Sequence, residues 1–262
     1  MARFCPLFSG SSGNSAFVGN ADEGLLVDAG VSCKRILDAL AQREIEQDSI
    51  RGILITHEHS DHIKGLKVLT KRLKVPVYSS ALVLDYLAEH DCIAPGCELR
   101  ELAPVNELAG MRVIPFHTPH DSVDSMGFRI QTADSRVIAI ATDLGVVTGE
   151  VREHILGADL VMIESNYDKG MLECGTYPYF LKQRIKGSRG HLSNDDCAGQ
   201  VSELVLSGTT RVFLAHLSRE NNLPQLALEH TRCTLDEMGA KENFDYLLKV
   251  APREEPAKLE IF

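Results

Sequence analysis

Short apolar runs recur along the chain, and the segments between them place apolar residues at helical spacing. The runs predict strands over 25–28, 52–56, 75–79, 112–116, 127–131, 136–142, 159–164 and 211–215. The intervening periodicity predicts helices over 33–43, 62–74, 80–90, 176–186, 193–207 and 223–238. Several runs are almost unbroken Val, Ile and Leu, the composition of strands covered on both faces. An α/β fold follows, with sheets flanked by helices. No linker, repeat or low-complexity segment divides the chain, so one domain over 1–262 is expected. The charged, proline-containing tail beyond Pro252 is expected to hang loose. The Ser/Gly-rich run at 9–15 reads as a tight turn between the first two strands.

Polar residues that interrupt this pattern gather where strands end: Asp28, His57 to His62, Asp143, Glu164 and His216. The segment His57-Glu58-His59-Ser60-Asp61-His62 directly follows Ile53-Leu54-Ile55-Thr56. It packs metal-binding side chains too densely for an ordinary solvated turn. Counting outward, the candidate metal ligands are His57, His59, Asp61, His62, His120, Asp143 and His216. Imidazole and carboxylate donors together suit zinc, manganese or iron and do not make a calcium cage. One partition gives a first ion His57, His59 and His120, and a second ion Asp61, His62 and His216, with Asp143 between them. Two ions about 3.5–4 Å apart can share a hydroxide nucleophile and clamp both the attacked group and the leaving oxygen. His117, His154 and His230 lack this context and are read as ordinary surface or core histidines.

Composition narrows the setting. The 262 residues are 44% hydrophobic, enough for a large core. The formal net charge is −10, so a polyanionic substrate has to be drawn by local basic groups or by metal ions. Seven scattered cysteines, with no Cys-x-x-Cys pair, suggest reduced thiols rather than a disulfide framework or a structural zinc site. Met1 to Pro6 lacks the apolar core of a signal peptide, and no run is long enough to span a bilayer. A cytoplasmic protein with no membrane partner is expected.

The metal cluster resembles the metallo-β-lactamase superfamily, whose His-x-His-x-Asp-His hallmark matches His57, His59, Asp61 and His62. The family's later ligands match His120 in Pro-His-Asp, Asp143 in Ala-Thr-Asp-Leu-Gly and His216 in Leu-Ala-His-Leu-Ser. Its early aspartate, which orients the histidine loop, matches Asp28 in Leu-Val-Asp-Ala-Gly. The resemblance implies an αβ/βα four-layer sandwich of two mixed sheets, with two divalent ions at one edge. A narrower resemblance, to the YycJ/WalJ branch, rests on Phe8-Ser-Gly-Ser-Ser-Gly-Asn-Ser15, Glu164-Ser-Asn-Tyr167 and Gly190-His-Leu-Ser-Asn194. That branch is similar to tRNase Z-type nucleases and is linked to DNA exonuclease activity.

The resemblance implies that His191 contacts the scissile phosphate or protonates the leaving oxygen, as an imidazole of ordinary pKa can. The alternative for His191 is a polar residue flanking the helix start at Ser193-Asn194-Asp195. Asp61 and His191 are the candidate catalytic side chains. Lys182, Arg184, Lys186 and Arg189 form a candidate phosphate-binding cluster, and Lys64, Lys67, Lys71 and Lys74 a second. The thioesterase third motif, a flavin domain, a β-CASP insertion and a long exosite arm are all missing from the pattern. The leading expectation is a binuclear phosphodiester hydrolase, a DNA exonuclease with nucleic acid as partner. The alternatives are a small-molecule metallohydrolase for a cyclic phosphodiester, lactone or thioester, and a binding module with structural metals. A homodimer stays open.

Overall fold

A computed structural model describes residues 1–262. Two sheets face each other. The first takes β1 (Arg3–Phe8), β2 (Ser15–Gly19), β3 (Gly24–Val27), β4 (Ile50–Leu54), β5 (Val77–Ser79), β6 (Leu99–Glu101) and the C-terminal β14 (Glu260–Ile261). Their order is β14-β1-β2-β3-β4-β5-β6. The second takes β7 (Asn106–Leu108), β8 (Met111–His117), β9 (Met126–Gln131), β10 (Val137–Ala141), β11 (Leu160–Glu164), β12 (Arg211–Ala215) and β13 (Leu247–Val250), ordered β13-β12-β11-β10-β9-β8-β7. A core that includes Phe4, Leu25, Val27 and Leu54 from the first sheet and Phe128, Ile138, Met162 and Phe213 from the second fills the space between them. The Phe4 and Phe213 rings meet across it at 5.8 Å.

Helices cover both outer faces. α1 (Cys33–Gln42), α2 (Ser60–Ile63), α3 (Leu66–Leu73) and α4 (Ala81–Glu89) lie on the first sheet. α5 (Gly149–Ile155), α8 (Asn194–Leu206) and α9 (Pro224–Glu237) lie on the second. Between them run α6 (Lys169–Cys174) and α7 (Tyr179–Lys186). The expected four-layer sandwich of two mixed sheets is present.

Strand direction positions the site. β3 to β6 run parallel, as do β10 to β13, so each set delivers its C-terminal ends to one edge. Asp28, the His57–His62 segment, Asp143 and His216 all lie just past such ends. Asp28, Asp143 and His216 hold left-handed backbone, φ 63°, 57° and 53°. Asp and His tolerate that region better than most residues, but it still costs about 1–3 kcal/mol each and clusters where function fixes the chain.

Three expectations are corrected. The predicted helix 62–74 breaks into α2 and α3 at Gly65. There the backbone presses on the loop after β3: Gly65 N–H donates to Ala29 O at 2.8 Å, and a Cβ would sit 1.9 Å from Val31 O. The predicted helix 176–186 starts only at Tyr179, after Pro178. The tail is not loose. Ala257 N–H donates to Pro6 O, β14 pairs with β1, and Arg253 donates to Leu217 O and Ser218 O.

Candidate metal centre

β4 ends in the buried core, and the chain then turns through Thr56 and His57 into the short helix α2. The turn is clamped from the loop after β3, where a Cβ on Gly30 would fall 1.6 Å from Asp61 O. His57, His59 and His120 bring one donor atom each within 4.8 Å of one another. Asp61, His62 and His216 form a second such group, and Asp143 joins His57 and His62 in a third. The structure therefore gathers all seven candidate ligands, and a fourth group of Asp143, Glu164, His191 and His216 overlaps them. Asp143 reaches both sides: its Oδ2 lies 3.3 Å from His62 Nε2 and its Oδ1 3.8 Å from His120 Nε2.

The outer nitrogen of most of these rings is held by a group that can only accept. His62 Nδ1 donates to Asp28 Oδ2 at 2.8 Å, and His216 Nδ1 to Glu164 Oε1 at 2.8 Å. His120 Nδ1 donates to Gly190 O at 3.1 Å. The Thr56 hydroxyl gives its proton to Asp28, so it accepts from His57 Nδ1 at 3.0 Å. Each ring thereby turns its Nε2 to the cluster, the nitrogen that binds metal once it has lost its proton. His57 Nε2, His216 Nε2 and Asp143 Oδ2 are buried with no hydrogen-bond partner. Buried polar atoms left unpaired in this cluster would be costly in a protein lacking a cation. The donor set and the orphaned atoms fit divalent metal.

Electrostatics follow the same division. Burial, reinforced by neighbouring imidazoles, holds His57 well below the ordinary histidine range, and burial also lowers His120. Burial pushes His62 and His216 the same way, but the Asp28, Asp143, Asp61 and Glu164 carboxylates outweigh it and raise both well above that range. Asp143, buried, is nevertheless held well below the carboxylate range by His216 and His62. Proton and metal compete for such imidazoles.

His191 stands beside the cluster. Its Nδ1 donates to Glu164 Oε1 at 2.8 Å, and its side chain keeps 23% exposure. Burial would lower its pKa, but Glu164 raises it overall. It opens onto a cavity of ≈ 240 Å³ shared with His59, Asp61, His120, Asp143 and His216.

The basic clusters divide. Arg184 lines this cavity and pairs with Asp121. Arg189 Nε donates to His120 O at 2.9 Å, so it braces the ligand loop. Lys182 donates to Glu173 O and Gly175 O, and Lys186 pairs with Glu173; both tie α7 to α6. Lys67, Lys71 and Lys74 line a different groove, of ≈ 830 Å³, with Pro95 and Cys97. Lys74 precedes β5, which runs parallel to β4, so it sits at the sheet end opposite His57. The groove of Lys67, Lys71 and Lys74 therefore does not open on the metal residues, and only Lys64, at the end of α2, lies next to them in the chain. Exposed His117 turns to Asp124, His154 stacks on Phe116, and His230 lies near Asp168 and Asp195.

Several site residues had no role assigned from sequence. Glu164 bridges His191 and His216 and accepts from Leu144 N–H. A glutamate ending a wholly buried strand was the available signal. Asn14 in the Ser/Gly run places its Nδ2 3.2 Å from Asp61 Oδ2 and 3.0 Å from His62 Nε2, and Ser9 Oγ accepts from His216 N–H.

A family model described as a β-lactamase superfamily domain matches residues 24–217. The chain is 35% identical to the protein named exodeoxyribonuclease YycJ of Bacillus anthracis over 239 residues, 90% of each chain. It is 34% identical to exodeoxyribonuclease WalJ of Streptococcus pneumoniae over 231 residues, 86% of this chain and 85% of that one. The solved structure of Zn²⁺-bound PqqB from Methylobacterium extorquens superposes with TM-score 0.71 at 18% identity, covering 98% of this chain and 99% of PqqB.

Proposed function

The chain belongs to the metallo-β-lactamase superfamily and is a metal-dependent hydrolase; on that premise we propose that it takes two divalent cations and removes nucleotides from the ends of DNA. The observation that carries the phosphodiesterase reading is His191. It is a proton donor held by a buried carboxylate, and it opens onto the same small cavity as the metal residues without belonging to either trio. The similarity to two proteins named exodeoxyribonucleases, each along most of its length, supports DNA and attack at ends.

His57, His59 and His120 would hold one cation and Asp61, His62 and His216 the other, with Asp143 between them. When bound, such a pair acidifies water and neutralises charge on the phosphoryl oxygens. The chain's own groups do the rest. Glu164 accepts from His191 Nδ1, which favours the imidazolium and turns Nε2–H toward the leaving oxygen. The same carboxylate fixes the His216 ring, and Asp28 fixes that of His62. Arg184 lines the rim beside its partner Asp121 and would meet a phosphate by exchanging that carboxylate for it. Zinc and manganese both accept this donor set, and iron does too, so availability selects among them. All seven cysteines are unpaired, which suits a reducing cytoplasm, and no helix is long and apolar enough to cross a membrane.

The test is an end-labelled DNA assay on metal-quantified protein, with bis(p-nitrophenyl) phosphate, a lactone and a thioester run alongside. His191→Ala is expected to keep its full metal content and lose roughly 10²–10⁴-fold in turnover. Carboxylic-ester or thioester turnover with no phosphodiesterase activity would overturn the proposal.

A further inference from the structure

Helix α7 has an outer side that the metal centre does not use. None of its residues is buried, yet it is tethered through Lys182, Arg184 and Lys186 to Glu173, Gly175 and Asp121. Leu181, Arg184 and Ile185, spaced along one helical face, line the metal cavity. Tyr179 and Phe180 instead stand in solvent, 77% and 74% exposed. Phe180 precedes Arg184 by one helical turn, which puts a bare ring beside a guanidinium at the cavity rim.

Resting on the nuclease reading above, we propose that Tyr179 and Phe180 are a stacking platform for the unpaired bases of a single-stranded nucleic acid end, next to the phosphodiester that enters the cavity. Charge supplies the first argument. The chain carries −10 overall, Lys182 and Lys186 are engaged by α6, Arg184 is paired, and the lysine groove lies at the far end of the sheet. Beyond the cations that the site would hold, a polyanion therefore finds few free side-chain charges near this mouth, and stacking would add affinity there. Base–aromatic stacking tolerates any sequence and needs no net positive field. Size supplies the second. At ≈ 240 Å³ the cavity is smaller than the roughly 300–1,000 Å³ that usually encloses a small ligand, which suits a phosphodiester group better than the bases on either side of it. Position supplies the third. Phe180 and the cavity-lining Arg184 belong to one tethered helix, so a base stacked on Phe180 fixes where its own phosphate falls inside. Tyr179, across the helix from Leu181, would meet a base farther out.

The experiment compares the metal-loaded full chain with its Tyr179→Ala/Phe180→Ala double variant, on a labelled single-stranded oligonucleotide and on bis(p-nitrophenyl) phosphate. Stacking losses correspond to roughly 5–150-fold in affinity per base. The double variant is expected to raise KM for the oligonucleotide by about that factor, with kcat/KM for the small diester within about twofold. Tyr179→Phe and Phe180→Trp are expected to restore the oligonucleotide KM. An unchanged oligonucleotide KM overturns the platform. So does an equal fall on both substrates, which would make the rings merely structural. A wild-type dimer that the double variant dissociates, with KM unchanged, overturns it in favour of a second copy on this face. Wild-type protein that cuts the small diester but no nucleic acid removes the nuclease reading itself, a result distinct from the others.

Discussion

His57 and His120 lean on neutral groups, the Thr56 hydroxyl and the Gly190 carbonyl, whereas His62 and His216 each lean on a carboxylate, Asp28 and Glu164. The contrast lies in the chemistry of each support rather than in its place. Thr56 follows β4, and Gly190 belongs to the loop between α7 and α8. Asp28 follows β3 and Glu164 closes β11, so rigid parallel strands drive both carboxylates into the interior. A carboxylate behind an imidazole makes the ring a stronger donor and fixes its tautomer. The site is thus asymmetric: the half built on Asp61, His62 and His216 should hold a cation more tightly than the half built on His57, His59 and His120. A chelator titration followed by metal analysis should remove the ions in two steps.

Asp143→Ala is expected to have the largest effect, because it erases the asymmetry by crippling both halves. Its carboxylate is buried between His62, His120 and His216 at 3.3, 3.8 and 3.1 Å, and nothing else nearby can bridge the trios. Bound metal should fall below one ion per chain and phosphodiesterase activity below detection. Two retained ions with normal turnover would contradict the assignment. Asp28→Asn should act mainly on the half that holds His62, and more weakly on His57 through Thr56. It leaves the shape of the side chain but removes the charge behind His62, and supports of this kind are worth about 10–100-fold in metal affinity. Titration should show the tighter step weakened by that factor and the looser step weakened less, because His57 feels Asp28 only through Thr56. Equal weakening of both steps would mean that Asp28 serves the fold rather than one ion.

The sequence made the candidate ligands and Asp28 legible and left the other supports hidden, for one physical reason. Metal chemistry demands rare residue types, and His57 to His62, His120, Asp143 and His216 stood out against apolar strands whatever the topology. The role of a support depends on which loops meet. Asn14 lies in a Ser/Gly run that any turn could carry, and only the contact of that run with Asp61 and His62 gives it a task. Gly65 breaks a helix whose periodicity is intact because Val31 O occupies the space a side chain would need. The long inner strands were readable because both faces are buried. β6 (Leu-Arg-Glu) and β7 (Asn-Glu-Leu) are short, charged edge strands with no local signal of their own. The tail misled for the same reason: its charges suggested a solvated end, yet Glu254 meets Arg35 and Arg219, and Lys249 meets Glu260.

Arg189 carries the smallest expected effect and the sharpest reading of the asymmetry. Its sequence neighbourhood suggested a phosphate-binding cation. Its position makes it a prop for the weaker half: Nε donates to His120 O at 2.9 Å, while the Gly190 carbonyl beside it accepts from His120 Nδ1. Gly190 can lie there only because it has no Cβ, which would fall 2.2 Å from Ile185 O. Arg189→Ala removes one charge-assisted bond from a partly exposed loop, a loss of about 1–2 kcal/mol at most, so a change of several-fold is expected. If Arg189 is a prop, the loosely held ion dissociates several-fold more readily and the KM for DNA, measured at saturating metal, stays the same. If it grips substrate, metal retention is unchanged and KM rises, more steeply at low salt, as expected for one lost phosphate contact. The geometry around His120 favours the first outcome, because the guanidinium is already committed to the carbonyl of the residue it would have to leave.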